Sequence, residues 1–344
     1  MVAMSSPVVQ YILNVLVSLS PVFLFLAALI FLDSYKLVKL RDVIFTLLIG
    51  CIVSYGSYWV NTFALQSVGI PRQTYIRYGS PLVEEVFKAA YIMYLMRSQR
   101  IGFMVDAAIY GFAVGAGFAF IENIYYLQSF GRDYTLFDWI IRGFGTAVMH
   151  GGTMSIFAII SKNFADTKGS ERWDVFLPGL ATGVVVHSFF NHFFLQPLIF
   201  TTCILVFLPI ILIFVFNKSE RATRSWLGVG FDSEADLLNM VITGNIGTTK
   251  IGEYLHSLQT RFRGETVADM LCYLRLHLEL GIQAKGILMM RQAGFDVPPD
   301  SDIQTKFEEL HFLKKSIGKT GELAMSPFVR THGRELWQLR MLQK

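Results

Sequence analysis

PLVEEVFKAAYIMYL (81–95) reads as an apolar helix interrupted by two adjacent glutamates, Glu84 and Glu85, and by Lys88. A charged group at the centre of a bilayer costs roughly 2.5–3.5 kcal/mol on insertion scales, so ionisable residues inside a span are rare and usually mark function. Three more apolar stretches carry the same signature. GFAFIENIYYL (117–127) holds Glu122, AVMHGGTM (147–154) holds His150, and VVVHSFFNHFF (184–194) holds His187 and Asn191. Carboxylate and imidazole together are the groups that activate water. The stretches therefore point to an all-α, polytopic membrane helix bundle with a polar pocket inside it.

Composition agrees with that fold class. The chain has 344 residues, 53% of them hydrophobic, and a mean hydropathy of +0.46. A soluble chain with so much apolar surface would aggregate. The net charge of +4 implies no nucleic-acid partner. Cys51, Cys203 and Cys272 are odd in number and far apart, with no CxxC, which excludes a disulfide framework and a thiolate zinc site. MVAMSSPVVQ lacks the basic region of a signal peptide, so the apolar run behind it reads as an uncleaved first helix.

A helix needs about 20 apolar residues to cross the hydrocarbon core. About seven runs qualify, near 9–32, 42–64, 80–96, 103–127, 137–161, 175–195 and 197–216. Lys36, Lys39 and Arg41, then Arg97 and Arg100, then Lys162, Lys168 and Arg172, and finally Lys218, Arg221 and Arg224 fall in alternate loops; the other loops are poorer in cations. The positive-inside rule then puts the N-terminus outside and the C-terminus in the cytoplasm. The expected domains are 1–217 in the membrane of the cell and a soluble helical domain over 218–344, where charge rises and segments such as 265–280 and 302–318 keep helical apolar spacing.

This topology allows the ionisable residues to meet. At about 1.5 Å per residue, Glu84 and Glu85 lie about one turn below the outer surface and Glu122 about a turn and a half. His187 falls roughly 12–14 Å down and His150 about 20 Å, the poorest fit. His187 and Asn191 share a helix face that Gly179 and Gly183 extend, and Gly111, Gly115, Ala119 and Asn123 form a similar row. Lys88 follows Glu84 by four residues, the favoured order for an ion pair, which would leave Glu85 the freer carboxylate.

Glu84-Glu85-x-x-Lys88, Phe118-x-x-x-Glu122-Asn123, His150 and His187-x-x-x-Asn191, in that order and each within an apolar stretch, resemble the PrsW family of intramembrane proteases. More distantly they are similar to the CAAX prenyl-protease and bacteriocin-processing group. In the CAAX branch the first motif ends in Arg and the second in His; Lys88 and Glu122 follow the PrsW pattern instead. The resemblance covers roughly residues 40–200. It implies peptide-bond hydrolysis in or near the membrane, on a membrane-protein substrate such as a single-pass anti-sigma-like protein clipped on its outer side.

Two mechanisms can be built from these residues. In one, Glu85, assisted by Glu84, takes a proton from water that His187 or His150 positions; Asn191 donates to the developing oxyanion, Lys88 holds the glutamates, and Glu122 either orients a histidine or is a ligand. In the other, His150, His187 and Glu122 hold a catalytic Zn2+ and Glu85 is the base. No HExxH is present. Competing readings are an ion-coupled transporter, against which no internal repeat is evident, and a catalytically inactive membrane sensor. Asp106 and Arg142 read as interfacial anchors, and His256, His277, His311 and His332 as surface groups of the tail.

Overall fold

The computed structural model describes residues 7–130, 133–192, 194, 196–295, 297–298, 300–329 and 333–343. They form helices joined by short loops, with no strand among the described residues. Two compact units result, Met1–Ser219 and Glu220–Lys344.

The first unit starts with α1 (Pro7–Phe31) and α2 (Leu40–Ser67). A short turn, α3 (Arg72–Thr74), and a π-helical stretch over Tyr75–Gly79 lead into α4 (Ser80–Arg97). Pro81 follows directly on that π-helical turn and has no N–H to give the preceding turn, and the Ile76 and Arg77 carbonyls there accept instead from Asn191 Nδ2 and Ser188 Oγ of the later helix over Leu177–His192. Next come α5 (Met104–Phe130), α6 (Leu136–Ile140), a π-helical stretch over Ile141–Ala147, α7 (Val148–Lys168) and α8 (Leu177–His192). Finally α9 (Pro197–Ile242) runs past the apolar limit expected at 216 and contains the boundary between the units.

Among the described residues, five helical segments are long and apolar enough to cross a membrane: Val8–Phe31, Leu40–Ser67, Met104–Phe130, Leu136–Lys168 and Pro197–Ile242. These correspond to five of the seven expected runs. The other two stretches are helical but differ in length and charge. Helix α8 has 16 residues, about 24 Å. Helix α4 has 18 residues, about 27 Å, and carries Glu84, Glu85, Lys88 and Arg97.

Helix α5 is the axis of this unit. In its most apolar window 83% of residues are buried, against 22% in α9, so α9 keeps its apolar surface outward and α5 does not. Small residues make that central position possible. A Cβ on Gly111 or Gly115 would collide with the α7 backbone at Met154 or His150, and one on Gly117 with the α2 backbone at Leu47. Close helix approach through small residues replaces the hydrophobic drive that lipid cannot supply.

In the second unit, α10 (Lys250–Leu258), α11 (Gly264–Gln292), α12 (Ile303–Met325) and α13 (Arg334–Leu342) pack around α11. Met270, Leu274, Leu280, Ala284 and Leu288 of α11 are fully buried. Helix α12 breaks at Gly318, whose φ of 67° lies in the left-handed region that favours glycine.

Candidate active site

Four helices meet at one buried polar cluster. Helix α4 brings Glu84, Glu85 and Lys88, α5 brings Glu122, α7 brings His150 and α8 brings His187. Lys88, Glu85, His150 and His187 are each at most 2% exposed. Lys88 Nζ lies 2.5 Å from Glu85 Oε1 and 3.0 Å from His150 Nδ1, over the face of Phe118. The expected Lys88–Glu84 pair is thus replaced by Lys88–Glu85. Glu84 is held from the other side: its Oε1 accepts from Ser80 Oγ at 2.6 Å and from Asn61 Nδ2 at 3.3 Å. Asn61 is in turn fixed by the Tyr75 hydroxyl, at 2.9 Å.

The bonding sets both histidine tautomers. An ammonium only donates, so His150 Nδ1 accepts from Lys88 and its Nε2–H donates to Glu122 Oε2 at 2.9 Å. His187 Nδ1–H donates to Glu85 Oε1 at 2.7 Å, leaving Nε2 with a lone pair 3.8 Å from Glu84 Oε2. Each imidazole is therefore backed by a carboxylate, the usual support of a metal-ligating histidine. The two rings stand edge to face, with centroids 4.8 Å apart.

Glu84, His150 and His187 each place a ligand atom so that all three lie within 4.8 Å of one another. That is a two-histidine, one-carboxylate donor set of the kind that binds catalytic zinc. Its carboxylate is Glu84, and Glu122, expected either as a ligand or as the group that orients a histidine, stands behind His150. To act as a ligand, His150 has to release Lys88 from Nδ1 or Glu122 from Nε2. Two further observations fit a bound cation. With all three carboxylates ionised, Glu84, Glu85 and Glu122 outnumber the fixed cations Lys88 and Arg142 by one. Glu85 Oε2 is also buried and meets no hydrogen-bond donor, which is costly unless something else satisfies it.

A family model described as PrsW family intramembrane metalloprotease matches residues 39–216, just over half of the chain. The chain belongs to the PrsW family. No curated protein and no solved structure matches it. PrsW membership makes it a membrane peptidase of a metalloprotease family, and the matched segment contains every residue of the cluster.

Asn191, expected at the oxyanion, donates its Nδ2–H to the Ile76 carbonyl at 3.0 Å and ties α8 to the π-helical stretch before α4. Arg142, read from sequence as an interfacial anchor, joins the cluster: it lies 3.3 Å from Glu122 Oε1, and its Nε donates to Asn123 Oδ1 at 3.1 Å. An arginine inside an apolar run was the signal that could have found it. Ser80, four residues before Glu84, was a second such signal. Asp106, also read as an anchor, is 1% exposed and accepts from the Gly102 and Phe103 amides, each at 2.7 Å, at the start of α5.

Proposed function

We propose that this chain is an endopeptidase that cuts a membrane-protein substrate at or near the outer side of the membrane, with a zinc ion held by Glu84, His150 and His187. The observation that carries this reading is the convergence of those three groups, from three helices, with a carboxylate behind each imidazole. Such an ion supplies Lewis-acid polarisation of a carbonyl and makes a neighbouring water more acidic. Loop charges support the outward site and the cytoplasmic tail. A single-pass protein of the anti-sigma kind suits a site enclosed by spans.

The chain's own residues divide the remaining tasks. Glu85 Oε1 holds His187 in the tautomer that presents Nε2 inward, and Glu85 Oε2, free of donors, takes the proton from water. Lys88 fixes Glu85 and compensates its charge. Glu122, clamped by Arg142, orients His150. Asn191 acts by holding α8 against the Ile76 backbone.

The test is incubation of the full chain in lipid nanodiscs with a library of single-pass peptides, followed by mass spectrometry of new termini. The expected result is internal cleavage that stops on chelation, returns with zinc and is absent in His187→Ala. Cleavage of equal rate in His187→Ala overturns the site assignment, and cleavage indifferent to chelation overturns the metal.

A further inference from the structure

The second unit contains a half-open pocket of about 370 Å³ lined by α11, α12 and α13. It lies outside the catalytic cluster, and the proposed peptidase activity makes no use of it. His277 of α11 lines it, and both ring nitrogens of His277 are buried without a hydrogen-bond partner. The sequence reading of His277 as a surface group is therefore corrected; His332, read the same way, lies outside the described residues. A buried neutral imidazole has one N–H donor and one acceptor, and leaving both unmet costs free energy. Burial pushes the His277 imidazole down to about 4, with the Lys314 ammonium acting in the same sense, so the ring is neutral at pH 7.

The rest of the lining says what would satisfy it. Phe307, Leu310 and Leu339 give apolar walls. Lys314 and Arg340 face the cavity against a single acid, Glu322, which lies 2.7 Å from Lys314 across the break at Gly318. Among the described residues no three metal-ligating side chains converge here. Ligand pockets run from about 300 to 1,000 Å³, which puts this one in the range of a one- or two-ring molecule.

We propose that this cavity binds a small organic anion with an apolar ring, whose acidic group accepts from His277 and sits near Lys314 and Arg340. The C-terminal unit is then a ligand-binding module attached to the membrane unit. The shared chemistry covers aromatic carboxylates and aromatic phosphates.

The full chain in nanodiscs separates these by saturation-transfer NMR on the added ligand. The probes are indole-3-acetate, phenyl phosphate and neutral indole. The expected result is saturable binding of one or both anions, at least tenfold tighter than indole. The arm that binds identifies the acidic group. His277→Phe, checked for folding by its helical signal, should weaken the anion at least tenfold. Lys314→Gln, at a half-exposed position, should weaken it about threefold and leave indole unchanged. Absence of saturable binding by both anions overturns the proposal. So does indole binding as tightly as the anions, or anion affinity unaltered in the folded variants.

Discussion

Glu84 and Glu85 are adjacent in the chain but meet different partners, and their roles separate by experiment. Glu84 is fixed by Ser80 and Asn61 and faces His187 Nε2, whereas Glu85 lies between Lys88 and His187 Nδ1. Glu84→Gln should lose bound zinc and activity together. Glu85→Gln keeps an acceptor for His187, so at saturating zinc it should hold the ion yet turn over roughly 100-fold or more slowly, the typical contribution of a general base. Paired zinc analysis and cleavage rates check this; the opposite pattern exchanges the two roles. Local spacing identified all the charged members of α4 but paired Lys88 with the wrong one. The i,i+4 rule describes an isolated helix, while the real choice is made by Asn61 from α2 and His150 from α7, which spacing within α4 does not show.

At the scale of elements, the approach of α5 to α7 is what puts Glu122 beside His150. Gly115 sits where any Cβ would meet the carbonyl group of His150 and the Cα of Gly151, all backbone. Gly115→Ala should therefore cost about 1–3 kcal/mol as overpacking and displace His150. Gly228→Ala, in open space on α9, should be neutral or stabilise by about 0.5–1 kcal/mol from helix propensity. Thermal unfolding of the full chain, read beside zinc affinity, checks both; equal melting of the two variants contradicts the packing argument. The glycine rows were legible because small residues at four-residue spacing have one main use in a bilayer. The depth of His150 was not. It was counted along a straight α-helix, but Ile141–Ala147 is π-helical, with wider turns that hold more residues, and His150 reaches Glu122 at 2.9 Å. Such π-helical stretches have no composition signal and occur often at functional sites.

In the whole molecule the two compact units divide between Ser219 and Glu220, inside α9, and the continuity of α9 there was hidden by the charges that begin near 218. The second unit carries its own pH response. In the unfolded chain a histidine binds its proton near 6.5, about its ordinary value; in the folded unit His277 binds one only at about 4. Between these values the unfolded chain holds more protons, so His277 makes stability fall as pH drops through that window and has no effect well above it. From pH 7 to pH 5 the loss is about 2 kcal/mol. It should show as lower exchange protection of α11 amides and be absent in His277→Phe; an identical pH response in both proteins contradicts the burial argument. Glu322, His311, Lys314 and Arg340 line the same cavity and are unchanged in that comparison. In the first unit, Glu84, His150 and His187 are proposed to hold one catalytic zinc together. The most direct test of this is the zinc content of the purified full chain measured against that of His187→Ala. We expect one zinc per chain in the native protein and less than a tenth of that in the variant, with the same helical signal. A full equivalent retained by His187→Ala, or a zinc-free native protein that cleaves at full rate, contradicts the account.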